Sequence, residues 1–196
     1  MPGFTVFEGK TAVYNADHVD TDRIIPARFL TMVTRSGYGE LLFSDVRGNG
    51  FPLDEPEAQG ASILVAGTNF GCGSSREHAV WAIQQAGFAC VIAKATKETP
   101  GYSDIFRQNA ANCGLLLIEL AHDAHEMIVN AGSGATVKID LPNQTVTIGD
   151  SSFSFHINPA TKDALVQGLD LIGTTLTYSA EIADFEAKSQ TFVPVA

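Results

Sequence analysis

The run Gly71-Cys72-Gly73-Ser74-Ser75-Arg76 combines the groups that hold and react with a small anion. Gly71 and Gly73 allow a ligand to approach the backbone closely. Ser74 and Ser75 supply two adjacent hydroxyls, and Arg76 adds a planar fork of donors matched to a carboxylate or phosphate. Upstream, Ile63, Leu64 and Val65 read as a short buried strand, residues 68–73 as a tight turn, and residues 74–86 as a helix stopped by Gly87. Ser74 and Glu77 have the spacing of a capping box. A helix start carries unpaired N–H groups and the positive end of the helix dipole, both of which attract an anion. The alternative is an ordinary capped helix with a surface arginine. Two glycines, two serines and an arginine in sequence favour an anion site.

A second cluster lies in NADHVDTDRII at 15–25, where Asp17, Asp20 and Asp22 surround Thr21 and Arg23. Three carboxylates suggest a metal, but the run lacks the glycine and distal glutamate of a calcium loop, and no histidine cluster joins it. Two readings stay open. Either Asp20 or Asp22 caps a turn while Arg23 pairs with a carboxylate, or an aspartate orients a catalytic group contributed by another chain. Cys72, Cys90 and Cys113 are odd in number and widely spaced, which fits neither a disulfide framework nor a chain holding an iron–sulfur cluster alone. Cys72 reads as exposed in the glycine turn and Cys90 as a core thiol. His122 and His125, beside Asp123 and Glu126, read as surface histidines on an amphipathic helix. Arg28 and Arg35 read as solvated surface, and Arg107 as either surface or ligand-facing.

These residues need a scaffold. Residues 4–14 read as an opening strand or hairpin, and 89–93 as a second buried strand after the glycine-turn helix. Strand, helix and strand in that order imply a right-handed parallel crossover. Residues 26–43 read as a short helix with Phe29, Leu30 and Val33 facing the core, then a mobile loop holding Arg35, Gly37 and Gly39. Residues 48–60 read as a surface connection and 94–102 as a polar loop. A helix over 103–112 ends at Gly114 and leads into a buried strand at 115–120. Residues 137–141 and 145–148 flank Pro142-Asn143-Gln144 as a hairpin, and Phe153, Phe155 and Ile157 alternate as a further strand. Residues 161–168 read as a short helix and 174–178 as strand or helix. The closing IADFEAK reads as an amphipathic helix.

At 196 residues, with 45% apolar and 17% charged residues, the chain suits one globular domain spanning 1–196. A formal charge of −10 argues against a nucleic-acid partner but not against a small acidic ligand met by a local arginine. No apolar run is long enough to cross a bilayer, and nothing marks the chain for export, so a cytoplasmic location is the expectation.

The motif GTNFGCGSSREHA resembles the signature of the small subunit of 3-isopropylmalate dehydratase, in the aconitase superfamily. VDTDRIIPARFL is similar to that family's N-terminal signature, and SDIFRQNAANCG to its next block. The resemblance covers essentially the whole chain. It implies an α/β fold of the three-layer β/β/α type, the swivelling domain of the superfamily. It also implies no cofactor in this chain, a [4Fe–4S] cluster on a partner large subunit, and a small dicarboxylate substrate. On the matching positions, Ser74 is implied as the base that carries the proton, with Asp22 as its catalytic companion. Ser75 and Arg76 are implied as ligands of a substrate carboxylate, supported by Asp20, Thr21 and Gly73. The loop TMVTRSGYGE, with Arg35, is implied to read the substrate's side chain.

Where the family often carries a tryptophan–arginine pair, this chain has Val46-Arg47, and residues 94–101 form a longer loop than usual. The reaction implied is the interconversion of 2-isopropylmalate and 3-isopropylmalate through 2-isopropylmaleate. The alternatives are a related hydro-lyase acting on homoaconitate, citraconate, maleate or dimethylmalate, and a non-enzymatic anion-binding module.

Overall fold

A computed structural model describes residues 3–48 and 50–189. Among these residues seven strands form one mixed sheet in the order β4-β3-β2-β1-β5-β6-β7. They are β1 (Val6–Tyr14), β2 (Ile63–Ala66), β3 (Cys90–Lys94), β4 (Leu116–Leu120), β5 (Thr136–Asp140), β6 (Thr145–Ile148) and β7 (Ser151–Ser154). The helices are α1 (Thr21–Ile24), α2 (Glu77–Gln85), α3 (Asp104–Cys113), α4 (His122–Ala131), α5 (Pro159–Gln167), α6 (Leu171–Leu176) and α7 (Ser179–Lys188).

β1 serves two ladders. Its second half, from Thr11 to Tyr14, runs parallel to β2, while Val6 to Lys10 pairs antiparallel with β5. The parallel quartet β4-β3-β2-β1 is built from crossovers through α2 and α3, as the strand–helix–strand pattern predicts. Alternation along the parallel strands divides the core. Leu64, Ala66, Val91 and Ala93 face Val80 and Ile83 of α2 and Phe106 of α3. Ile63, Val65, Ile92 and Ile118 face Val137, Ile139 and Val146 of the antiparallel half, together with Ile128 of α4. The antiparallel half therefore folds over one face of the parallel strands while helices cover the other, which gives the β/β/α layering. Burial on both faces explains why β2 reads as an unbroken apolar run.

Some open alternatives close, at 4–14 and 174–178, and other local expectations change. The opening segment is a single strand. Residues 26–43 hold only two single-turn 3-10 helices, Ala27–Phe29 and Gly39–Leu41. Val33 is fully exposed at 101% and lies outside the core, whereas Tyr38, inside the expected loop, is fully buried. The connection at 48–60 is anchored by Phe51, Leu53 and Ala58, which are buried. Residues 174–178 are not a strand: Thr174 and Thr175 lie in α6.

Candidate active site

The parallel strands end at one edge, and the loops leaving β1 and β2 run side by side there. His18 N–H donates to Thr68 O at 2.8 Å, Gly71 N–H to Val19 O at 2.8 Å, and Thr21 N–H to Cys72 O at 2.8 Å. This short ladder brings the two sequence clusters, more than 50 residues apart, into one site. Gly71 and Gly73 adopt positive φ of 73° and 91°. A Cβ on Gly71 would lie 2.3 Å from the Phe106 ring, so only glycine lets α3 pack beneath the turn.

Asp20 caps α1 by accepting from Arg23 N–H at 2.7 Å, the turn-capping half of the first of the two open readings. Arg23 therefore takes part through its backbone, and the arginine that pairs with a carboxylate here is Arg76. Thr21 is buried and donates Oγ1 to Ser74 O at 2.8 Å, which fixes the backbone of the serine. Arg76, with a side chain only 10% exposed, forks onto Asp22 with contacts of 2.5 and 2.6 Å. A further Arg76 N–H reaches Ile25 O at 3.3 Å. The Arg76 hydrogen bonds hold the Asp22 carboxyl below the usual carboxylate range. Arg76 is thus a strut between the two loops as well as a source of positive charge.

One local reading is overturned. The expected capping box does not form, because α2 begins at Glu77, Arg76 occupies the N-cap position, and no side chain caps the helix. The backbone of 74–76 is instead drawn onto the 20–25 loop by Thr21 and Asp22, which keeps Ser74 and Ser75 outside the helix. Both serines are exposed. Nothing among the described residues hydrogen-bonds the Ser74 hydroxyl. Ser75 Oγ accepts from Asn109 Nδ2 at 3.2 Å. Asn109 was not singled out from sequence. It lies on α3, whose N-cap Ser103 also donates Oγ to Gly71 O at 2.6 Å, so α3 supports the turn at both points.

Behind the site, Asp17 accepts from Thr68 N–H at 2.7 Å and Thr68 Oγ1 at 2.9 Å, and the backbone bond holds its carboxyl low. His18 and Asn69, both non-glycine residues at positive φ (54° and 52°), pair at 3.0 Å between His18 Nδ1 and Asn69 Nδ2. The loop at 94–101 packs against the turn: Asn69 N–H donates to Pro100 O and Phe70 N–H to Gly101 O, each at 2.8 Å. Arg107 resolves to a support role. Its guanidinium meets Glu119 at 2.5 Å, and the same carboxylate accepts from Gly101 N–H at 2.5 Å.

His125 corrects the expectation of two surface histidines. It is fully buried, and its Nε2–H donates to Ala66 O at 2.7 Å, at the end of β2. Burial holds its pKa below the ordinary imidazole value. Cys113 lies 3.3 Å from Glu77 Oε1, and burial with that carboxylate pushes its thiol up to about 12, so it is no nucleophile. Val46 packs against the core and Arg47 pairs with Asp54. Arg28 pairs with Asp45. Arg35 lies across the Trp81 ring at 5.3 Å. Among the described residues no group of three or more His, Cys, Asp or Glu side chains is placed to hold a metal ion, and no helix is long and apolar enough to cross a membrane.

The chain is similar to known proteins over its whole length. Residues 1–123 match the family model described as the aconitase C-terminal domain, and residues 128–159 match the LeuD_N model. A 3-isopropylmalate dehydratase small subunit from Anaeromyxobacter dehalogenans is 45% identical, covering 95% of this chain and 98% of that one. Another from Salinispora arenicola is 43% identical over 99% and 98% of the two chains. A solved structure of 3-isopropylmalate dehydratase (leuD) from Methanocaldococcus jannaschii superposes with a TM-score of 0.68 at 29% identity, covering 91% of this chain and 98% of that one.

Proposed function

The chain belongs to the family of 3-isopropylmalate dehydratase small subunits, and from that premise we propose that it is the small subunit of the hydro-lyase that isomerises 2-isopropylmalate and 3-isopropylmalate through 2-isopropylmaleate, with Ser74 as its base. The observation that carries this reading is the joining of the two loops: Thr21 holds the Ser74 backbone, and the Arg76–Asp22 fork holds the residue next to Ser75. A hydroxyl exposed on a braced turn is what proton transfer to and from a bound diacid requires.

In the proposed mechanism Ser74, as its alkoxide, takes a proton from the carbon beside the carbinol carbon of 2-isopropylmalate. The C–H electrons form the double bond, and the hydroxyl leaves from the neighbouring carbon. A [4Fe–4S] cluster on the large subunit supplies the Lewis acidity for that departure. Hydration in the reverse sense places the hydroxyl on the first carbon, while Ser74 returns a proton to the second. Ser75, oriented by Asn109, and the N–H groups of Arg76 engaged by neither Asp22 nor Ile25 O bind a substrate carboxylate. Asp22, kept ionised by Arg76, orients a cationic group across the subunit boundary. A serine is a weak base unless its alkoxide is stabilised, so the chain works only when closed against its partner.

The test is an anaerobic assay of this chain alone and with the large subunit, following formation of the unsaturated diacid. Turnover that needs both chains and prefers isopropylmalate is expected. Preference for citraconate, maleate, homoaconitate or dimethylmalate would overturn the substrate while keeping the reaction. Absence of turnover in a cluster-loaded, associated complex would leave only an anion-binding module.

A further inference from the structure

Arg107 and Ala111 stand one turn apart on α3 and share a face, the one turned away from Asn109 and its contact with Ser75. Against that face the chain leaves a cavity of about 140 Å³, bounded by β4 and the approach to α5. The cavity wall is aliphatic, made by the buried Leu115 with Leu117 and Ile157. The rim is made of donors. Only one N–H of Arg107, on Nη2, has a partner among the described residues, Glu119 Oε1 at 2.5 Å, and the rest of the fork is open. The guanidinium is held over the Tyr102 ring at 5.5 Å. The His156 ring and the Thr161 hydroxyl lie on the same rim, and nothing among the described residues hydrogen-bonds either of them. Asn158 caps α5 there, accepting from Ala160 N–H at 2.9 Å and Thr161 N–H at 3.3 Å, so the positive end of that nine-residue helix also lies at the cavity. No acidic side chain lines the cavity, in a chain whose formal charge is −10.

We propose that this cavity binds a small monocarboxylate carrying a short apolar chain, with the carboxylate on Arg107 and the chain against Leu115, Leu117 and Ile157, and that Arg107 passes the occupancy to the glycine turn. The walls decide the class of ligand. Phosphate or a diacid would set further charge among aliphatic side chains with no cation to meet it. A neutral apolar molecule would gain nothing from the guanidinium fork. The volume equals that of about five waters in the liquid, which suits a chain of about four carbons. Glu119 is the link to the turn. Its Oε1 accepts from both Arg107 and Gly101 N–H, and Gly101 O accepts in turn from Phe70 N–H at 2.8 Å, beside Gly71. A bound carboxylate competes with Glu119 for the guanidinium, and so changes the acceptor on which Gly101 rests.

The experiment titrates isovalerate into the chain and follows 1H–15N resonances, with acetate, isovaleramide and inorganic phosphate as comparisons. Saturable shifts are expected at Arg107 Nε–H and at the amides of Ala111, Leu117 and Ile157, with Kd on the order of 1 mM. Gly101 and Phe70 should shift along the same curve. Acetate lacks the chain and isovaleramide lacks the charge, so each should bind at least about tenfold more weakly, and phosphate likewise. Ala111→Leu fills the cavity without touching the Arg107–Glu119 pair and should abolish binding. Arg107→Gln should weaken it about tenfold, and Ser75→Ala should leave it unchanged. Thermal unfolding establishes that each variant is folded.

Shifts centred on residues 72–76, or binding kept in Ala111→Leu and lost in Ser75→Ala, would place the carboxylate at the serine turn and overturn the proposal. Equal binding of isovaleramide would remove Arg107 as the anchor. Tighter binding of phosphate would overturn the ligand class. No saturable binding up to about 50 mM would remove the site. Shifts around the cavity that leave Gly101 and Phe70 unmoved would overturn the link to the turn. None of these readouts uses turnover, so the outcome is independent of the proposed reaction.

Discussion

Ser74 and Asp22 show how one residue's role depends on what its neighbours leave free. The Ser74 backbone is tied to Thr21, yet its hydroxyl is exposed and hydrogen-bonded by nothing among the described residues. Ser74→Ala should therefore lower kcat of the reconstituted complex by about 10³-fold with KM nearly unchanged, as steady-state kinetics would show. Near-normal turnover would remove the serine as base. Asp22 differs because its carboxyl is paired with Arg76. Its folded pKa lies below its ordinary value of 3.8, so the stabilisation is fully present above that value and is lost as pH falls through the folded pKa. The urea stability of wild type should exceed that of Asp22→Asn by about 1 kcal/mol at pH 6, a figure reduced for the exposure of Asp22. The gap should close as the pH is taken down past 3.8. A gap that persists in strong acid would show that the pair contributes by packing rather than charge.

At the scale of elements, α2 joins the site at its start to the 35–38 turn at its end, and α4 braces the end of β2. A serine followed three residues later by a glutamate has capping-box spacing, but the tertiary bonds from Thr21 and Asp22 outcompete that local pairing. The pattern of His122 and His125 was equally misleading. A three-residue step put both on neighbouring positions of an amphipathic helix, while only the fold shows that His125 turns inward onto Ala66 O. Lys94, His122 and Glu126 are the charged and titratable groups around it, and burial outweighs the glutamate in keeping it neutral. A base with a depressed folded pKa adds stability that is complete above its ordinary value of 6.5 and falls as pH drops below it. Wild type should lose stability from pH 7.5 to 5.5 more steeply than His125→Gln, by denaturant titration at each pH. Parallel curves would mean that the imidazole titrates as an exposed one does.

For the whole molecule, β1 is the shared strand through which the parallel and antiparallel halves become one body. Thr11 sits at the changeover and is fully buried. Its Oγ1 donates to Gly132 O at 2.8 Å and lies 3.2 Å from Ala135 O, tying the turn after α4 to this joint. Thr11→Val keeps the shape and strands the Gly132 carbonyl, while Ala135 O keeps the Thr11 N–H at 2.9 Å, so it should cost about 1–2 kcal/mol in urea denaturation while leaving kcat and KM of the complex within about twofold. A large loss of activity would show that the joint controls the site at the far end of the strand.

The sequence by itself determined what is local or carried by composition. The strand–turn–helix order around Gly71, the crossover into β3, the hairpin of β5 and β6, the Ser103 and Gly114 boundaries of α3, and the family signature all follow from short-range patterns. It also put Ser74, Ser75, Arg76, Asp20, Thr21 and Asp22 forward as one group, although their adjacency was carried by resemblance rather than by any pairing visible in the chain. Only the tertiary structure decided how they meet. Arg76 spans to Asp22 across more than 50 residues, Asn109 reaches Ser75 from a third segment, and Gln85 closes a loop that begins beside the first. Such contacts depend on the register of parallel strands and the packing of α2 and α3. A side chain's long-range partner is set by that geometry, and hydrophobic spacing along the chain does not encode it.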